Sequence, residues 1–181
     1  METDSTRTHT TTIGKANLFS LLIAFPVAAT YITLYLLFWP IAPLEQSLDN
    51  LLIKLLPAPI IGMIIHELLH GITWAIFASK GWRSIKFGIK WALLTPYCHS
   101  KEPLRKPHYL LGTIMPLLVL GILPAIAGIA TETPYLLIFG IMFTWAAAGD
   151  IKGVMMLRKG KHHEWVADHP DKLGFVVLDK K

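Results

Sequence analysis

The chain has 181 residues, 53% of them hydrophobic, a mean hydropathy of +0.49 and a formal net charge of +5. Such apolarity excludes an ordinary soluble domain and suits a polytopic membrane protein of about one domain. The Lys and Arg residues fall between and after apolar runs, not on one face, which excludes a nucleic-acid binder, and the single cysteine, Cys98, excludes an internal disulfide framework.

Residues 1–15 are polar and rich in Thr and Ser, without apolar periodicity, and read as a disordered N-terminal tail. Residues 16–42 carry no charge and are long enough to cross a bilayer at a rise of about 1.5 Å per residue. Pro26 is a potential kink. Arg7, Lys15 and the small residues Val27-Ala28-Ala29 also fit a cleaved signal peptide. The apolar run continues through Phe38, which favours a retained first span. Glu45 to Leu56 is amphipathic at helical spacing and suits the membrane surface; Pro57 and Pro59 then open a second span over 57–79.

The longest connection follows. Ile85, Phe87, Ile89 and Trp91 alternate with Lys86, Gly88 and Lys90, the period of a strand. Thr95 to His99 is its hairpin partner, with Pro96 confining it to an edge. Residues 109–130 and 134–157 make spans three and four, and 158–181 form a polar tail. The expected fold is mostly α: residues 16–157 form a membrane-embedded domain of about four transmembrane helices, with a small β-hairpin between the second and third. Seven Lys and Arg lie between spans two and three, one (Lys54) between one and two, and none between three and four. Both termini are therefore expected in the cytoplasm, although a cleaved first span leaves the rest of this pattern intact.

Within span two stands His66-Glu67-Leu68-Leu69-His70. On a helix the two histidines share one face and can bind one Zn²⁺, and Glu67 beside them can take a proton from the attacking water. From Leu55 to Ser79 these three are the only charged or imidazole side chains. Such groups at the bilayer centre each cost about 2.5–3.5 kcal/mol, so they are not carried idly. A catalytic zinc usually takes three protein ligands. Asp150, within Ala146-Ala147-Ala148-Gly149-Asp150, is the only other acid in an expected span, and its small neighbours permit close helix approach. The alternative is that Asp150 pairs with Lys152 or reaches toward water. Cys98 and His99 point to opposite faces of their strand. His99 is either an oxyanion donor at the site or a hydrogen-bonding residue of the loop.

His66-Glu67-Leu68-Leu69-His70-Gly71, Tyr97-Cys98-His99-Ser100-Lys101-Glu102-Pro103-Leu104 and Gly149-Asp150, with Asp168-His169-Pro170 and Gly174 further on, resemble the "putative zincin peptidases" of small bacterial membrane proteins. These are in turn similar to site-2-protease intramembrane zinc metalloproteases. The resemblance implies Zn²⁺ held by His66, His70 and Asp150, Glu67 as catalytic base, a membrane protein or peptide as substrate, and a bacterial plasma-membrane location. The chain lacks the Asn-x-x-Pro stretch and Asp-Gly pair usual in site-2 proteases, since Asp150 follows Gly149 and precedes Ile151. A non-proteolytic zinc-binding scaffold or regulator is the rival reading; the carboxylate of Glu67 beside the ligands favours an enzyme.

Overall fold

A computed structural model describes residues 6–49, 57–91, 95–158, 163–169 and 173–178. Strand β1 (Thr6–Thr11) leads into α1 (Ile13–Leu36), α2 (Ala42–Asp49) and α3 (Ala58–Phe77). After a 3-10 turn (Gly81–Ser84) come β2 (Ile85–Lys90), β3 (Thr95–Ser100) and the short β4 (Leu104–Arg105). A helical stretch then runs through α4 (Lys106–Pro116), a π-helical segment (Leu117–Ile122) and α5 (Leu123–Ala130). The bent pair α6 (Pro134–Ala146) and α7 (Ala148–Leu157) follows, then β5 (Trp165–Asp168) and β6 (Leu173–Leu178).

Among the described residues three helices are long and apolar enough to cross a membrane: Ile13–Leu36, Ala58–Phe77 and Lys106–Ala130. A fourth crossing is available if α6 and α7, bent by 48° at their junction, act as one span. The mostly helical architecture expected from the apolar runs is therefore present. Pro26 lies inside α1, which continues past it to Leu36. Large apolar side chains such as Leu22 and Phe25 stay on the outer surface of α1, as a lipid-facing helix requires. At one end of α1, Lys152 Nζ donates to the Lys15 carbonyl at 2.8 Å and Trp145 Nε1 to the Ser20 carbonyl at 3.0 Å. At the other end Trp39 Nε1 donates to the Ile129 carbonyl at 2.6 Å. The surface helix expected over residues 45–56 is present as far as Asp49, and its remainder lies outside the described residues.

The expected hairpin forms as β2 and β3, antiparallel, with Ile85 opposite Ser100 and Ile89 opposite Pro96. Its seat is α3. A methyl group at Gly71 would meet Ile85 and the Phe87 ring, so the absent side chain lets the hairpin lie directly on the helix that carries His70.

Both terminal segments depart from expectation. Thr6–Thr11 is not a disordered tail but a strand, and the polar tail after Leu157 supplies two more. Together with β4 they form a four-stranded antiparallel sheet in the order β1-β6-β5-β4. The physical reason lies in the partners. β1 is polar but rich in β-branched Thr, which suits a pleated edge, and it pairs with β6, whose Phe175 and Val177 face inward. These side chains join Trp74, Ile85, Leu104, Tyr109, Leu157 and Val166 in one buried cluster between sheet and helices. The buried Glu164, just before β5, pairs with Arg7 and lies 3.7 Å from Lys106 Nζ.

Candidate metal centre

His66 and His70 lie one turn apart on α3, both buried, where the helix packs against α4 and β3. Asp150 enters from the first turn of α7. The junction at Ala147 makes this possible: Ala147 and Ala148 are fully buried and leave room for the chain to bend. Asp150 Oδ2 is 3.1 Å from His66 Nε2, and Oδ1 is 3.4 Å from His70 Nε2. One ligand atom from each residue can be chosen so that all three lie within 4.8 Å of one another. A tetrahedral zinc, with bonds of about 2.0–2.1 Å, sets its donors about 3.3 Å apart. Two imidazoles and one carboxylate are a donor set that zinc takes, and both imidazole–carboxylate separations are close to that spacing. The alternative partner for Asp150 does not materialise, because Lys152 turns to the Lys15 carbonyl.

Backbone groups orient the site. His70 Nδ1–H donates to the Gly112 carbonyl at 2.8 Å, which leaves Nε2 with its lone pair toward Asp150. Metal-binding histidines are commonly fixed this way by a partner on the other ring nitrogen. The neighbouring support is aromatic. His70 stacks on Trp74 with centroids 5.3 Å apart, and Trp74 on Tyr109 at 5.2 Å. Trp74 Nε1–H donates to the Tyr109 carbonyl at 3.0 Å, and a methyl group at Gly112 would run into the indole. Glu67, next to both histidines, accepts a hydrogen bond from the Cys98 backbone N–H on β3. This contact holds the carboxylate beside the imidazoles.

A cavity of about 610 Å³ opens onto the site and is lined by Glu67, Cys98, His99, Asp150, Asp168 and Phe175, among others. The structure therefore brings together every residue singled out in the sequence: His66, Glu67, His70, Asp150 and His99. It adds Asp168 from the presumed solvated tail. Asp168 accepts from the Ser100 N–H at 2.8 Å and from the Tyr109 hydroxyl, and lies 3.4 Å from His99 Nδ1. Burial pushes its carboxyl above the usual range, against the pull of the Tyr109 hydroxyl and Ser100 N–H. The Cys98 thiol is also pushed up, by burial and then by the charges of Glu67 and Asp168, so it stays protonated. The outward N–H groups of Cys98 and Ser100 serve Glu67 and Asp168. By strand alternation Pro96 faces the same outer edge, where its missing N–H costs no ladder bond.

Gly112, Cys98 and Ser100 act through backbone atoms and have no sequence signature. Asp168 had one, in the Asp168-His169-Pro170 stretch, but its polar surroundings read as tail.

No curated protein and no solved structure matches the chain. A family model described as "Putative zincin peptidase" matches residues 59–164, a segment that holds His66, Glu67, His70, Asp150 and the whole hairpin. That match covers more than half of the 181 residues, and with it the chain belongs to the putative zincin peptidase family.

Proposed function

We propose that the protein is a membrane-embedded zinc metallopeptidase, of the site-2-protease kind, that hydrolyses peptide bonds in or near the bilayer. The observation that supports it is the convergence of His66, His70 and Asp150 from two apolar helices, with Glu67 beside them on the same cavity. His66, His70 and Asp150 would hold the ion. Zinc, when bound, supplies Lewis acidity to a water and to the scissile carbonyl. Glu67 accepts the proton of the attacking water and delivers it to the leaving amine. The Gly112 carbonyl keeps the His70 ring in register. The substrate is a membrane protein or peptide whose extended segment lies along the edge of the hairpin at the cavity. The excess of Lys and Arg between the second and third spans supports a plasma-membrane orientation with both termini cytoplasmic.

The test separates the two carboxylates. Protein extracted without chelators should hold about one zinc per chain. Asp150→Ala and His66→Ala should lose it. Glu67→Gln should keep the metal and lose turnover of a membrane-peptide library by roughly 10²–10⁴, the worth of a placed base. Wild-type protein without metal would refute the reading. A metal-loaded wild type that cleaves nothing, in step with Glu67→Gln, would instead identify a zinc-binding scaffold.

A further inference from the structure

Asp168 reaches the cavity from β5, a strand of the terminal sheet, and touches three groups that belong to other elements. One carboxylate oxygen accepts from the Tyr109 hydroxyl of α4. The other accepts from the Ser100 N–H of β3 and lies 3.4 Å from Nδ1 of His99. A carboxylate that only tied the sheet to the hairpin would need the first two contacts. The third places an imidazole with one nitrogen on Asp168 and its second nitrogen, Nε2, left for a ligand. His99 is partly exposed, at 29%, and lines the same cavity as Glu67 and Asp150. The neighbouring β3 residue, Cys98, holds Glu67 through its N–H. Consecutive residues of one strand thus serve the base and carry a second polar side chain.

We infer that His99, held by Asp168 and Tyr109, supplies the hydrogen bond to the carbonyl oxygen of the scissile peptide as that oxygen becomes an oxyanion. The inference rests on the peptidase reading above and deepens it. An imidazole with N–H on both nitrogens donates one to a carboxylate and the other to a second acceptor. Such a donor contributes most when it is fixed before charge develops, since no reorganisation is then needed during the reaction. Asp168 is the positioning residue, and Tyr109 fixes Asp168 in turn. The Tyr109 ring also stacks on Trp74, which stacks on His70, so both sides of the cavity share one aromatic support.

Two probes on zinc-loaded, full-length protein in detergent distinguish this role from a structural one. A phosphinate dipeptide carries a tetrahedral anion like that of the reacting carbonyl. Acetohydroxamate chelates zinc without presenting such an anion to the hairpin. His99→Ala should weaken phosphinate binding about 10²–10³-fold, in keeping with the loss of one oxyanion donor. Acetohydroxamate affinity and zinc content should change little. Asp168→Asn should produce a smaller loss of phosphinate binding alone, and His99→Gln, which keeps an N–H donor, should recover part of the wild-type affinity. Equal loss of both probes, or loss of zinc, in His99→Ala would make the residue structural and overturn the inference. So would unchanged phosphinate binding in His99→Ala, or a wild type that binds zinc and acetohydroxamate but not the phosphinate. A wild type that binds no zinc refutes the peptidase reading itself, and this inference with it.

Discussion

His70 is held at Nδ1 by the Gly112 carbonyl, while its Nε2 faces Asp150 at 3.4 Å. The first of these contacts depends on a missing side chain. Gly112→Ala would place a methyl in the Trp74 indole, and overpacking of this sort costs about 1–3 kcal/mol. The strain falls on the group that orients His70, so zinc affinity should drop about 10–100-fold, the usual effect of disturbing a histidine's outer partner. Competitive zinc titration beside thermal unfolding checks this. A destabilised protein with wild-type zinc affinity would show that the carbonyl does not orient the ring. The side chains that meet here were legible in the sequence because each is costly in an apolar run: His66, Glu67, His70 and Asp150. The carbonyl of Gly112 and the N–H of Cys98 were not, since every residue carries those groups and only the fold decides where they point.

The hairpin is fastened to α3 by a carboxylate outside the apolar helices. Glu102 accepts from Ser79 Oγ at 2.6 Å and Ser84 Oγ at 2.7 Å, and from the Lys80 N–H at 3.4 Å. The Ser79 hydroxyl, then that of Ser84, holds its carboxyl down at about 2 against an ordinary 4.5. Because the folded value is the lower one, the stabilisation is complete above 4.5 and is lost as pH falls toward 2. Carbon-detected NMR of the Glu102 carboxyl should give that low midpoint, and Ser79→Ala should move it back up. An unchanged midpoint in Ser79→Ala would assign the depression to another cause. At this scale the apolar helices and the period-two hairpin were readable, because long uncharged apolar runs and alternation leave direct traces. The 48° bend at Ala147 was not; small residues permit a bend without requiring one. The terminal strands were hidden for a different reason. Six residues of β1 are polar, and pairing with β6 uses backbone atoms that the side chains do not advertise.

The molecule closes on itself through Glu164. This buried carboxylate meets Arg7 from the first strand and Lys106 at the head of α4, while its own carbonyl accepts from the Lys106 N–H at 2.8 Å. Removing one member of a buried pair leaves its partner desolvated, at a cost of about 3–5 kcal/mol. Glu164→Ala should therefore lower stability by about 3 kcal/mol, less than the top of that range because Arg7 is half exposed. Unfolding in detergent, monitored by Trp fluorescence, measures it. The loss should include the sheet, since Val166, Phe175 and Val177 share the core with Trp74. A loss below about 1 kcal/mol would place the ion pair among ordinary surface contacts.

Pairing β1 with β6 also sets an order of events during synthesis. The first strand waits unpaired while every helix among the described residues is made, and its partner emerges only afterwards. Contacts this distant along the chain close late and slowly. His66, His70 and Asp150 are all translated before β5 and β6, so the ligands exist before the wall that carries Asp168 and Phe175 is in place. A nascent chain is thus open to metal loading from the side that the mature protein covers, and it acquires a finished cavity only once β5 and β6 have been made.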